Sequence, residues 1–205
     1  MTKELDCSEV ADTIRKEMPH LEFAIWDLTP FMKGFHNFRR NMVFVECEAL
    51  AVEELERRLY QQFKSVTFFS GTKRISRTDY RDRSPISSSI VILARKKFND
   101  TTEDTAGARV PSLEERTVDL LSYALREEIP MPVSEAANVI SYVLSINAVS
   151  ITKMHRYAMR KYVDWLFKII IYELAKNNEI SGIDPRFTKA GERYNNAIKE
   201  VENRE

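Results

Sequence analysis

Residues 41–48, NMVFVECE, constrain the fold more than any other stretch of the chain. Val, Phe and Met dominate them, a mixture that suits a β-strand better than any other stretch of the chain. Read as a strand, the segment sets Met42, Phe44, Glu46 and Glu48 on one face and Val43, Val45 and Cys47 on the other. The charged stretch 51–63 follows, and within it Val52, Leu55, Leu59 and Phe63 recur at helical spacing. A second strand is expected at 65–69. Strand, helix and strand within about 30 residues have the length of a βαβ unit, which implies two parallel strands and a right-handed crossover. Residues 21–26 are a further short strand, and 88–94 (SSIVILA), nearly all apolar, a central one.

Ahead of these strands, Asp6 and Glu9 are spaced as a capping box, and Val10, Ile14 and Met18 mark a helix that runs up to Pro19. Residues 99–109 (NDTTEDTAGAR) are polar and turn-rich, which predicts an exposed linker loop. Beyond it the pattern is helical. Ser112 and Glu115 are spaced as a second capping box, with Val118, Leu121 and Leu125 as the apolar stripe behind it. Pro130 and Pro132 end that helix and Ser134 caps the next, to about Ile146. A single long helix is expected over 150–174, and a turn followed by one short helix in the tail. The expected fold class is α/β (α+β). A mixed sheet of four or five strands with flanking helices fills 1–98, a linker spans 99–110, and a helical subdomain over 111–205 packs on the first.

A neutral chain of 205 residues, with 31 basic and 31 acidic side chains, is long enough for a sizeable core. Its two cysteines, Cys7 and Cys47, are too few for a disulfide framework and suit a reducing cytoplasm. No apolar run has the roughly 20 residues of a membrane span, and residues 1–10 lack the features of a signal peptide. No membrane contact and no cofactor are expected.

Three groups of residues could carry chemistry. Glu46 and Glu48, two apart at a strand end, could share a divalent metal, with Asp27 after the neighbouring strand as a third ligand. The plainer reading is a solvated strand end, with Glu48 favouring the positive end of the next helix. The segment 73–97 holds eight basic residues against two acidic ones. Lys73, Arg74, Arg77, Arg81 and Arg83 among them are candidates for contact with phosphate, nucleic acid or an acidic protein partner. Arg156 and Arg160, four apart on the long helix, are neighbours on one face and could do the same. Two catalytic signatures are missing. No Gly-Ser pair leads into Asp-x-Asp, and Glu46-Cys47-Glu48 stands where an endonuclease core has E-x-Lys.

Several segments in order carry a family resemblance. They are Phe23-Ala-Ile-Trp26, Phe31-Met32, residues 41–48 leading to Ala51-Val-Glu53, Val110-Pro-Ser-Leu-Glu114, Val118-Asp-Leu-Leu121 and Met154-His-Arg-Tyr-Ala158. Together, over about residues 10–170, they resemble the C-terminal domain of AbiEi-like proteins, the antitoxins of type IV abortive-infection toxin–antitoxin systems. The resemblance implies a non-enzymatic role: a cytoplasmic interaction protein that counters a nucleotidyltransferase-type toxin encoded nearby. It begins within about ten residues of Met1, without the family's DNA-binding winged helix, and it supplies no catalytic residues. The alternative expectation is a divergent metal-dependent enzyme, of nucleotidyltransferase or nuclease type, acting on nucleotides or phosphodiesters through Asp27, Glu46 and Glu48.

Overall fold

The structure, a computed structural model, describes residues 5–35, 42–70, 88–98, 101–103, 108–146 and 148–202. Helix α1 (Cys7–Glu17) starts where Asp6 accepts the Ser8 N–H, and it buries Val10, Ala11 and Ile14. Strands β1 (Phe23–Asp27) and β2 (Met42–Cys47) follow, then helix α2 (Val52–Gln62), β3 (Thr67–Ser70) and β4 (Ser89–Ala94). The six residues of β2 are all buried, and each face of the strand meets a different core.

Six strands form one mixed sheet in the order β3-β4-β2-β1-β6-β5, where β5 is Thr101–Glu103 and β6 is Arg109–Pro111. The strands β2 and β3 are parallel, as the βαβ spacing predicts, and β4 lies between them, parallel to both. The apolar run of 88–94 takes the inner position its composition predicts. One expectation is corrected: the stretch expected as a linker loop contributes β5 and β6, and β6 adds to the sheet alongside β1. Its polar composition hides the strands because β5 is an edge, and only one three-residue strand borders it.

The alternation of β2 decides which layer each side chain joins. Val43, Val45 and Cys47, with Ile90 and Ile92, pack under α1 and α2 through Val10, Ile14, Leu55 and Leu59. Met42 and Phe44, with Trp26, Val91 and Leu93, face the helices of the second half. Each large apolar side chain fully buried in this way contributes about 1.5–3 kcal/mol. The result is a sheet covered on both faces.

The second half is five helices: α3 (Leu113–Leu125), α4 (Val133–Ser145), α5 (Ile151–Arg160), α6 (Asp164–Lys176) and α7 (Pro185–Glu202). Ser112 caps α3 as its spacing predicts, its hydroxyl accepting the Glu115 N–H at 3.3 Å. Pro132, not Ser134, stands at the N-cap of α4. The single long helix expected over 150–174 is two. Tyr162 takes a left-handed φ of 59° between them. The Val163 N–H closes on the Ala158 carbonyl at 3.0 Å, and the Tyr162 N–H on the Met159 carbonyl at 3.2 Å. That is a Schellman stop, here without the glycine that would announce it in sequence. The expected short tail helix is the 18-residue α7. Among the described residues, no helix is long and apolar enough to cross a membrane.

Helix α7 docks on α6 through a close approach at Gly191. A Cβ there would lie 2.2 Å from the Lys168 carbonyl oxygen and 2.6 Å from the Tyr172 Cβ. Gly191→Ala should therefore push the helices apart, costing about 1–3 kcal/mol and lowering the melting temperature by several degrees. Glu192→Ala, on the exposed next position, should leave the melting curve where it is.

Candidate functional site

Glu46 is buried in the sheet and acts as the acceptor around which the second half assembles. Strand alternation points it at α3, on the same face as Phe44 and Trp26. Its Oε1 accepts the Trp26 indole N–H at 3.0 Å and the Tyr123 hydroxyl at 3.1 Å. Its Oε2 takes a short charge-assisted bond from Arg95 Nη1. Arg95 follows β4 and is itself buried. Its Nη2 reaches Glu115 Oε1 at 2.7 Å and its Nε reaches the Lys97 carbonyl at 2.8 Å. The ring of Trp26 lies flat on that of Phe44, with centroids 3.9 Å apart.

Helix α3 presents three further polar groups to this junction. Glu115 and Asp119 are one turn apart, and both are buried, as is Ser122. The ammonium of Lys161, placed by the break between α5 and α6, lies 2.7 Å from Asp119 Oδ1. Its carbonyl in turn accepts from Arg126 at 2.9 Å. Glu115 Oε2, Asp119 Oδ2 and Ser122 Oγ have no hydrogen-bond partner among the described residues.

Three carboxylates thus share two cations, and the missing charge appears in their protonation. Burial pushes Glu115 up to about 7, against the opposing pull of Arg95. Burial likewise pushes Asp119 up to about 6, against Lys161. Burial alone would lower the Arg95 guanidinium, but the Glu46 and Glu115 carboxylates outweigh it and hold it above its usual range. Lys161 is raised in the same way, Asp119 outweighing burial. Tyr123 is held well above the ordinary phenol value by burial, with Asp119 and Glu46 adding to it.

The carboxylates expected to share a metal are not brought together. Asp27 pairs with Val43 and Ala24 with Glu46, so Asp27 lies three register steps away along the strand. Alternation also turns it to the opposite face. Its Oδ2 accepts from Cys7 Sγ at 3.7 Å, and its Oδ1 takes the Thr29 N–H at 2.9 Å. Glu48 lies beyond the strand end and is exposed, as the plainer reading has it, while Glu46 is buried instead of solvated. Among the described residues, no group of three His, Cys, Asp or Glu side chains is placed to hold a metal ion. Cys47 is buried, as its setting predicts, and burial with the Glu48 and Glu46 carboxylates pushes its thiol up to about 12.

Lys73, Arg74, Arg77, Arg81 and Arg83 lie outside the described residues. Arg156 and Arg160 are both exposed on α5. The Arg160 guanidinium sits 5.1 Å from the centroid of the Tyr157 ring. Beside them Met159 is 55% exposed and Tyr162 83% exposed, an apolar surface that reading 150–174 as one continuous helix does not reveal.

A family model described as "Family of unknown function (DUF6577)" matches residues 3–178. The chain belongs to that family. No curated protein and no solved structure matches the chain. The DUF6577 match takes in the whole sheet, the ionic junction and helices α1 to α6, while α7 follows it.

Two outcomes follow for the junction. Glu46→Ala removes one carboxylate from a buried guanidinium and strands the Trp26 and Tyr123 donors, so it should cost about 3–5 kcal/mol in urea unfolding. The second concerns pH. Glu115 and Asp119 keep protons in the fold at pH values where the unfolded chain, with ordinary values of 4.5 and 3.8, has lost them. The folded state therefore binds more protons across roughly pH 4 to 7, and their contribution to stability falls as pH rises through that window. In melting curves, Glu115→Gln should flatten the decline between pH 4.5 and 7 relative to the native chain.

Proposed function

We propose that this protein is a non-enzymatic, antitoxin-like interaction protein that counters a nucleotidyltransferase-type toxin by binding it. One observation carries the reading. Tyr162 and Met159 are large side chains left exposed at a rigid helix stop, with Arg156 and Arg160 beside them on α5. Tyr, Met and Arg are the residue types enriched at protein interfaces. Holding Tyr162 in a left-handed conformation costs on the order of 1 kcal/mol, yet its ring gains almost no burial from the fold. The cationic pair suits an acidic face on the partner.

The arrangement of the resemblance supports the same reading. Phe23–Trp26, residues 41–48 and Val118–Leu121 are far apart in sequence, but Trp26 and Glu46 hydrogen-bond, and Asp119 on α3 belongs to the same ionic junction. The fold-maintaining role of Glu46 also leaves it no free oxygen with which to start a metal site, which favours binding over catalysis.

The test is co-expression with a nucleotidyltransferase-type toxin encoded beside the gene, scored by growth and by co-purification. Arg156→Glu with Arg160→Glu should abolish protection. Tyr162→Gly should weaken association at least tenfold while the melting temperature holds or rises, because glycine relieves the left-handed backbone. Undiminished protection by both variants would overturn the proposal. So would nucleotide transfer by the purified chain itself.

A further inference from the structure

A second surface of the molecule has no role in that reading. The carboxyl ends of the parallel strands β2 and β4 open into a cleft of about 630 Å³. The segment before β1 and the start of β6 close its sides, through His20, Glu22 and Arg109. In α/β sheets, ligands bind in the crevice beyond the carboxyl ends of the strands, and this volume is that of an ordinary small-molecule site.

The chemistry of the lining is cationic. Lys96 and Lys97, which follow β4, both line the cleft and are exposed, and neither ammonium has an ion-pair partner among the described residues. The turn that carries them is pinned. The Arg95 N–H bonds the Cys47 carbonyl at 2.7 Å and the Arg95 Nε bonds the Lys97 carbonyl at 2.8 Å. Arg95 is in turn held by Glu46 and Glu115 in the buried junction. The lysines therefore stand on a fixed support and not on a free loop. Across the cleft Arg109 is paired with Glu22 at 2.6 Å, and its guanidinium lies 5.9 Å from the centroid of the Phe98 ring. Apart from Arg95, committed to the buried junction, three cationic side chains, Lys96, Lys97 and Arg109, line the cleft with two carboxylates, Glu22 and Glu48.

We propose that this cleft binds a small phosphorylated anion, with Lys96 and Lys97 as its principal contacts and Arg109 as a third, released from Glu22 when the ligand enters. Two lysines lining one cleft suit the closely spaced charges of a diphosphate. A nucleic-acid strand would call for a longer basic track. The site is on a different element from the α5 surface, so either proposal can fail alone.

The probe is inorganic pyrophosphate, titrated calorimetrically into the full chain, with inorganic sulfate as comparison. Binding should be saturable and at least tenfold tighter for pyrophosphate than for sulfate. Lys96→Ala with Lys97→Ala should weaken it at least tenfold without moving the melting temperature of the free protein. Arg156→Glu with Arg160→Glu should bind pyrophosphate as the native chain does. No heat at millimolar pyrophosphate would overturn the proposal, as would equal binding by the lysine double variant. A single-stranded oligonucleotide that displaces pyrophosphate at lower concentration than pyrophosphate itself binds would also overturn it, and would make the cleft part of a nucleic-acid surface.

Discussion

The buried guanidinium of Arg95 is the constraint on which the two halves of this protein depend. It lies between Glu46 of β2 and Glu115 of α3, and so ties the sheet to the helical layer at one point. A charge taken out of water is tolerated only when every donor and acceptor around it is placed. Here the placement comes from three elements far apart in sequence. Apolar packing of α3 on the sheet would allow sliding, since hydrophobic burial is non-directional. The bonds from Trp26, Tyr123 and Arg95 to one carboxylate admit a single register.

The same junction shapes both candidate surfaces. On one side Arg95 fixes the carbonyl of Lys97 and so the turn that presents two lysines to the cleft. On the other, Asp119 draws in Lys161, the residue at the C-cap of α5. The helix stops there, Tyr162 turns outward, and Arg156, Met159 and Arg160 are left on the exposed side. The local sequence does not announce the end of α5, because it holds neither glycine nor proline at the stop. The deficit of one positive charge among five ionisable groups leaves the junction sensitive to pH, and its protonation is the balance between desolvation and two nearby cations.

Much of the fold was legible. The alternation of β2 predicted which side chains face each layer, and the Ser112–Glu115 spacing located the start of α3. The central place of 88–94 followed from its apolar content. What was misread shares one feature, dependence on a neighbour. Residues 109–111 are a strand because β1 offers them an edge, and 101–103 because 109–111 then offers another, not because their own residues favour it. Glu46 looked like half of a metal site paired with Glu48, since period-2 spacing says which face a carboxylate takes but not whether that face is wet. Asp27 was grouped with them because it ends a neighbouring strand, and the antiparallel register carried it to the far end and the other face.

By itself the sequence determined the periodicities, the caps and the partition into a strand-rich and a helix-rich half, because these rest on local backbone geometry and on side chains a few residues apart. It also contained both surfaces as residue types, the lysine pair after β4 and the arginine pair on α5. Only the tertiary structure decided which charges were to be buried. Glu46, Arg95, Glu115, Asp119 and Lys161 are indistinguishable in sequence from the many charged residues that stay in solvent. They became a core because desolvation and Coulomb attraction act through space, over a few ångströms, between groups that the chain alone keeps dozens of residues apart.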